Sequence, residues 1–119
     1  MKRWVLLEHR LSKENLKDIH FDLLLEDTNT CKTWRLEKLP RLDGPSVSAI
    51  PIAPHKLYWL ERNESDVSGG RGWAQRVEGG FYSGDLSQMA NSKVFIKICF
   101  KSKDALLEIK NQACRIVSL

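Results

Sequence analysis

The chain has 119 residues, of which 42% are hydrophobic and 29% charged, and a formal net charge of +4. That length supports one domain with a core that needs no staple, and the apolar content excludes a disordered chain. No apolar run approaches the ~18 residues of a membrane-spanning helix, and Trp4–Leu7 is too short for the apolar part of a signal peptide.

Three cysteines, Cys31, Cys99 and Cys114, are an odd number without metal-type spacing. They read as reduced thiols of a cytoplasmic protein. The positive balance suits a polyanionic partner such as nucleic acid, and equally a plain solvated surface.

In chain order, residues 3–9 (RWVLLEH) read as a strand, and RLSKENLKD as a charged loop or one helical turn. Residues 19–26 (IHFDLLLE) alternate with period two. Ile19, Phe21, Leu23 and Leu25 then face a core, and His20, Asp22, Leu24 and Glu26 the other side. DTNT supplies turn chemistry and CKTWRLE a partner strand, so 19–36 reads as a hairpin. Four prolines between residues 40 and 54 block a long helix and leave one extended piece, Val47–Ile52.

HKLYWLE (55–61) has strand composition, and the glycine-rich run within 69–84 predicts tight turns or close backbone approach. KVFIKICF (93–100) alternates as a strand. The tail, KDALLEIKNQACRIVSL, fits strands turning at Asn111-Gln112 or a helix over 103–111, and strands are the favoured reading. Together these elements predict a mainly β chain, one domain over 1–119. The expected architecture is a compact β-barrel with short helical or loop insertions, closed to hide its edges.

Residues i and i+2 of a strand share a side, about 7 Å apart. His20 and Asp22 can therefore converge on one ion or phosphate, or lie inert on a solvated face. His9 ends the first strand and His55 begins a later one. Two neutral imidazoles and a carboxylate suit Mn²⁺, Fe²⁺ or Zn²⁺. A three-ligand site also leaves positions for water and substrate. The pattern imitates the two-His-one-carboxylate triad of non-haem iron oxygenases too, in a chain short for that fold and with His9 idle.

The segments VLLEH, IHFDLLLE, KTWRL, PHKLYW and VSGGRGWAQRVEGGFY follow one another over residues 4–82. In that order they resemble the 3′-phosphoesterase domain of bacterial DNA ligase D and its stand-alone relatives. The resemblance implies a β-barrel hydrolase of DNA repair that removes 3′-terminal phosphates or ribonucleotides with Mn²⁺. Zn²⁺ or another divalent transition metal is the alternative ion. Its implied partners are DNA or RNA–DNA 3′ ends and the repair ligase machinery, for a cytoplasmic monomer. By motif, His9, Asp22 and His55 would be the metal ligands and His20 the catalytic group beside the scissile phosphate.

The chain departs from that pattern in a longer segment between His9 and His20 and at two residue positions. The family's His-x-Asp-x-Arg strand has its phosphate-gripping arginine where Leu24 stands, and its later tyrosine where Trp59 stands. An aliphatic chain does not replace a bidentate guanidinium. Arg71, in GGRG, and Arg35 are the candidate phosphate-binding substitutes. The alternative function is therefore a nucleic-acid-binding module of the same fold with weak or no catalysis. Glu8 and Glu26 read as solvated charges or as groups orienting an imidazole. The four tryptophans read as packing rather than as base-stacking platforms.

Overall fold

The alternating segments pair with their neighbours in sequence. The computed structural model describes residues 1–67, 70–86 and 93–119. In chain order its strands are β1 Lys2–Arg10, β2 His20–Glu26, β3 Cys31–Leu36, β4 Val47–His55, β5 Glu64–Val67, β6 Gly72–Ser83, β7 Lys93–Phe100, β8 Lys103–Lys110 and β9 Ala113–Ser118. Hydrogen bonding runs β1-β2-β3-β4-β9-β8-β7-β6, and β6 returns to β1. The result is a closed ring of eight strands, antiparallel at every junction, with β5 on the free side of β6. Closure removes the exposed edges that a nine-stranded open sheet would present.

The main seam, β1 against β6, runs from Lys2–Tyr82 to Arg10–Trp73. By contrast β4 and β9 meet only at Val47–Cys114 and Ser48–Ala113. The radius of gyration, 13.5 Å, is what a compact domain of this length has, about 13.5 Å. Among the described residues no helix is long and apolar enough to cross a membrane.

The ring interior is packed, not hollow. Trp4, Leu6, Leu23, Leu25, Trp34 and Leu36 fill one half of it; Ile96, Ile98, Leu107, Ile109 and Ile116 fill the other. In β7 the alternation is complete, with Val94, Ile96, Ile98 and Phe100 inside. The tail adopts its strand alternative. Asn111 and Gln112 both have positive φ, 53° and 58°, as a tight two-residue hairpin turn requires. Burial pushes the Cys31 thiol up to about 11 and the Cys114 thiol up to about 12, so both stay protonated near neutrality.

One expectation is corrected and another is met in part. HKLYWLE is not a strand: His55 ends β4, and Leu57–Leu60 forms a single 3₁₀ turn. The turn lays Leu57, Trp59 and Leu60 over Val5, Leu7, Leu24 and Cys31. This second, smaller core sits on the outer face of the ring, so β2 buries both of its sides. The glycine-rich run is mostly strand β6, with close approach at defined points; Gly69 lies outside the described residues. Gly72 has φ of 116°, and a Cβ there would collide with the Arg10 carbonyl oxygen.

Glu26 does not orient an imidazole. Its carboxylate accepts from the Arg3 backbone N–H at 2.8 Å and from Arg3 Nε at 3.1 Å. Glu8 is held by Arg10. The hydrogen bond from Arg3 holds the Glu26 carboxyl below its ordinary value. A carboxyl depressed on folding stabilises the protein above its unfolded pKa, and that contribution is lost as pH falls through the lower, folded value. Glu26→Gln is therefore expected to cost about 1 kcal/mol near pH 7 and less near pH 3, below the ordinary carboxyl value. Urea unfolding at the two pH values checks this; equal losses at both would refute it.

Candidate metal centre

Four strands and one glycine assemble the site. In β1, Val5, Leu7 and His9 share the outer face; in β2 that face carries His20, Asp22 and Leu24. Antiparallel register sets His9 opposite His20 and Leu7 opposite Asp22. The polar row therefore lies outside the ring, at the margin of the small outer core, and not in the interior. From the other side β3 brings Arg35 opposite Asp22. Strand β4 ends with His55 opposite Cys31, after a register shift in the β3–β4 ladder.

The side chains converge. His9 Nδ1 lies 2.7 Å from His20 Nε2, with the rings at 89°, and His20 Nε2 lies 3.9 Å from Asp22 Oδ1. His9, His20 and Asp22 offer ligand atoms within 4.8 Å of one another, a group that could hold a metal ion. His55 stands on the other carboxylate oxygen, its Nε2 3.6 Å from Asp22 Oδ2. Of the sequence-derived ligand set His9, Asp22 and His55, the first two belong to this group, and His20 completes it.

Hydrogen bonding assigns the tautomers. His9 Nε2 is 3.0 Å from the Arg71 carbonyl, which can only accept, so Nε2 carries the proton and Nδ1 is bare. His55 Nδ1 is 3.3 Å from the Ala53 carbonyl. By the same argument His55 Nε2 is bare when neutral, and it faces a carboxylate oxygen. Two acceptors set against each other require a proton or a cation nearby.

Asp22 is the central oddity. It is 4% exposed, and its buried Oδ1 has no hydrogen-bond partner among the described residues. An anion removed from water without hydrogen bonds is costly unless a cation compensates it. Arg35 Nε, at 3.9 Å, offers charge but no hydrogen bond. Burial holds the His20 pKa below its ordinary value; Arg35 and His9 act in the same direction, and Asp22 opposes them. A neutral imidazole is the form a metal takes. Donor set, orphaned oxygen and neutral ring all fit a divalent transition ion.

The group opens into a cleft of about 560 Å³, lined by His9, Asp22, His55, Trp59, Arg71 and neighbouring residues. Both candidate phosphate-binding arginines are thus at the site: Arg71 on the cleft wall, Arg35 directly across β3 from Asp22. Leu24 is fully buried under the 3₁₀ turn. Gly72 is a site residue that the composition of its segment left unresolved. Without a Cβ it lets β6 start against Arg10, which carries the Arg71 carbonyl to His9. Its only signal was the glycine directly after Arg71.

Fold and site together define a closed mainly β ring with a His/Asp group that could hold a metal ion on its outer face. No protein-family model matches the chain, and no curated protein matches it in sequence.

Proposed function

We propose that the protein is a metal-dependent phosphoesterase acting on nucleic-acid 3′ ends, with His9, His20 and Asp22 as the seat of the ion. The observation that carries this reading is the buried Asp22 carboxylate with its orphaned oxygen among imidazole nitrogens. When bound, a divalent ion there would neutralise phosphate charge and acidify a water. Mn²⁺ is the ion the resemblance implies; Zn²⁺ suits the same two-nitrogen, one-oxygen set.

Relative to the roles implied by the resemblance, His20 and His55 change places. His55, its Nδ1 held at the Ala53 carbonyl and its Nε2 turned to the cleft beside Asp22, is the imidazole that would exchange a proton with a phosphate oxygen. Arg71, on the cleft wall, and Arg35, opposite Asp22, would supply in other positions the positive charge that the family draws from its strand arginine. Trp59 gives the cleft an apolar wall in place of the tyrosine. The order of motifs over residues 4–82 supports the substrate class, a 3′-phosphate or 3′-ribonucleotide on DNA or RNA–DNA. A net charge of +4 suits such a polyanion. In this reading the protein serves DNA repair in the cytoplasm, beside a ligase.

The test is a primer–template with a 3′-phosphate, incubated with Mn²⁺, Zn²⁺, Mg²⁺ or a chelator. Phosphate should be released with Mn²⁺ and not with the chelator; intact 3′ ends under every ion would refute catalysis. One observation favours the second reading, a binding module: the family's clamp position is sealed by Leu24 in the outer core. Its signature is salt-sensitive binding of 3′-phosphorylated ends without turnover.

A further inference from the structure

We infer that the outer face of β7, opposite β3 in the ring and separate from the histidines, binds single-stranded nucleic acid. This goes beyond the proposed 3′-end chemistry and stands on a different set of residues. Along β7 the outward side chains are Lys93, Phe95, Lys97 and Cys99, all exposed. Phe95 is 54% exposed and Phe81, on β6, 55%. The Tyr82–Ile98 pairing sets Phe81 beside Cys99, four residues along from Phe95. Two phenyl rings thus stand on one surface, about 13 Å apart along the strand direction.

Charge identifies the occupant. Lys93 and Lys97 flank Phe95 along the strand, about 7 Å to either side, and Lys110 lies across from Lys93 on β8. The acidic residue opposite Phe95, Glu108, is engaged by Arg115 Nε at 2.8 Å. Asp104 lies at the far end, opposite Cys99. Ammonium groups on both sides of an exposed ring match a stacked base with phosphates before and after it. The same lysines disfavour a second copy on this face, because a two-fold pairing would bring like charges together. A duplex hides its base faces from such rings, so the preference is for single strands.

The experiment is fluorescence anisotropy of the full chain with a labelled single strand of about 12 nucleotides. The strand ends in a 3′-hydroxyl, and chelator is present, so the imidazole cluster takes no part. Binding tighter than to the matching duplex is expected. Phe95→Leu, apolar but without a ring, should weaken it about ten-fold, while Phe95→Tyr retains it. Lys93→Gln with Lys97→Gln should flatten the slope of log affinity against log salt by about 1.4.

All three variants change exposed strand positions, and their circular dichroism should match the parent. Parent-like affinity of Phe95→Leu, or an unchanged salt slope in the lysine variant, overturns the inference. So does a Phe95→Leu variant that only shifts a dimer to monomer in sedimentation. The readout needs neither metal nor turnover. Failure of the 3′-phosphate assay therefore leaves this result standing, and failure here leaves that assay standing.

Discussion

Asp22→Asn is expected to abolish metal binding and at the same time to raise the melting temperature of the metal-free protein. The carboxylate is 4% exposed, and one oxygen has no hydrogen-bond partner among the described residues. With no ion bound, a carboxylate placed in this way is expected to cost the fold stability. Asparagine keeps the shape and removes the charge. In the parent, an ion at 100 times its Kd stabilises the folded state by about 2.7 kcal/mol, which for a chain of this size is a rise of about 10 °C. In Asp22→Asn that rise should vanish.

Differential scanning calorimetry with and without Mn²⁺ reads both effects in one series. The ligand variants order themselves by the same geometry. His20→Ala should lose at least about 100-fold in metal affinity, since even an outer-shell partner costs 10- to 100-fold. His55→Ala should lose less metal affinity but as much turnover. A larger loss of metal binding in His55→Ala than in His20→Ala would return the ion to the His9, Asp22 and His55 set. Parent-like metal stabilisation of Asp22→Asn would remove the metal centre altogether.

Leu24→Arg, which restores the arginine of the resembled family, is expected to destabilise the protein by about 4 kcal/mol or more and not to restore a phosphate grip. Leu24 is fully buried with Val5, Leu7, Cys31 and Leu60. A guanidinium there loses its water without gaining a partner, and the contacts of the leucine are lost as well. Domains of this kind have only 5–15 kcal/mol in total, so much of the stability would go. Leu24→Met, similar in volume, should cost less than about 1.5 kcal/mol. Urea unfolding of the two variants makes the comparison. A stable Leu24→Arg protein with improved phosphate release would mean that the 3₁₀ turn lifts away to admit the side chain.

Much of the ring was legible in local pattern. Period-two alternation in IHFDLLLE and KVFIKICF marks strands because successive side chains must point to opposite faces. The tail was ambiguous because its apolar residues fit both periods; the positive φ values at Asn111 and Gln112 decided for a hairpin. HKLYWLE misled for a related reason. Aromatic and aliphatic residues mark a surface that will be buried, and here the burial is against the outer face of β1 and β2, not within a ladder.

Only the resemblance joined His9, His20, Asp22 and His55 into one set; residue chemistry was enough to mark them as candidates. It was also enough to indicate a β chain that closes on itself. Which two histidines come together with Asp22, and on which face of the ring, was settled only by tertiary structure. Register places His9 against His20, and a shift in the β3–β4 ladder leaves His55 on the opposite carboxylate oxygen. Such distances depend on how strands far apart in sequence align, and no local spacing encodes that alignment.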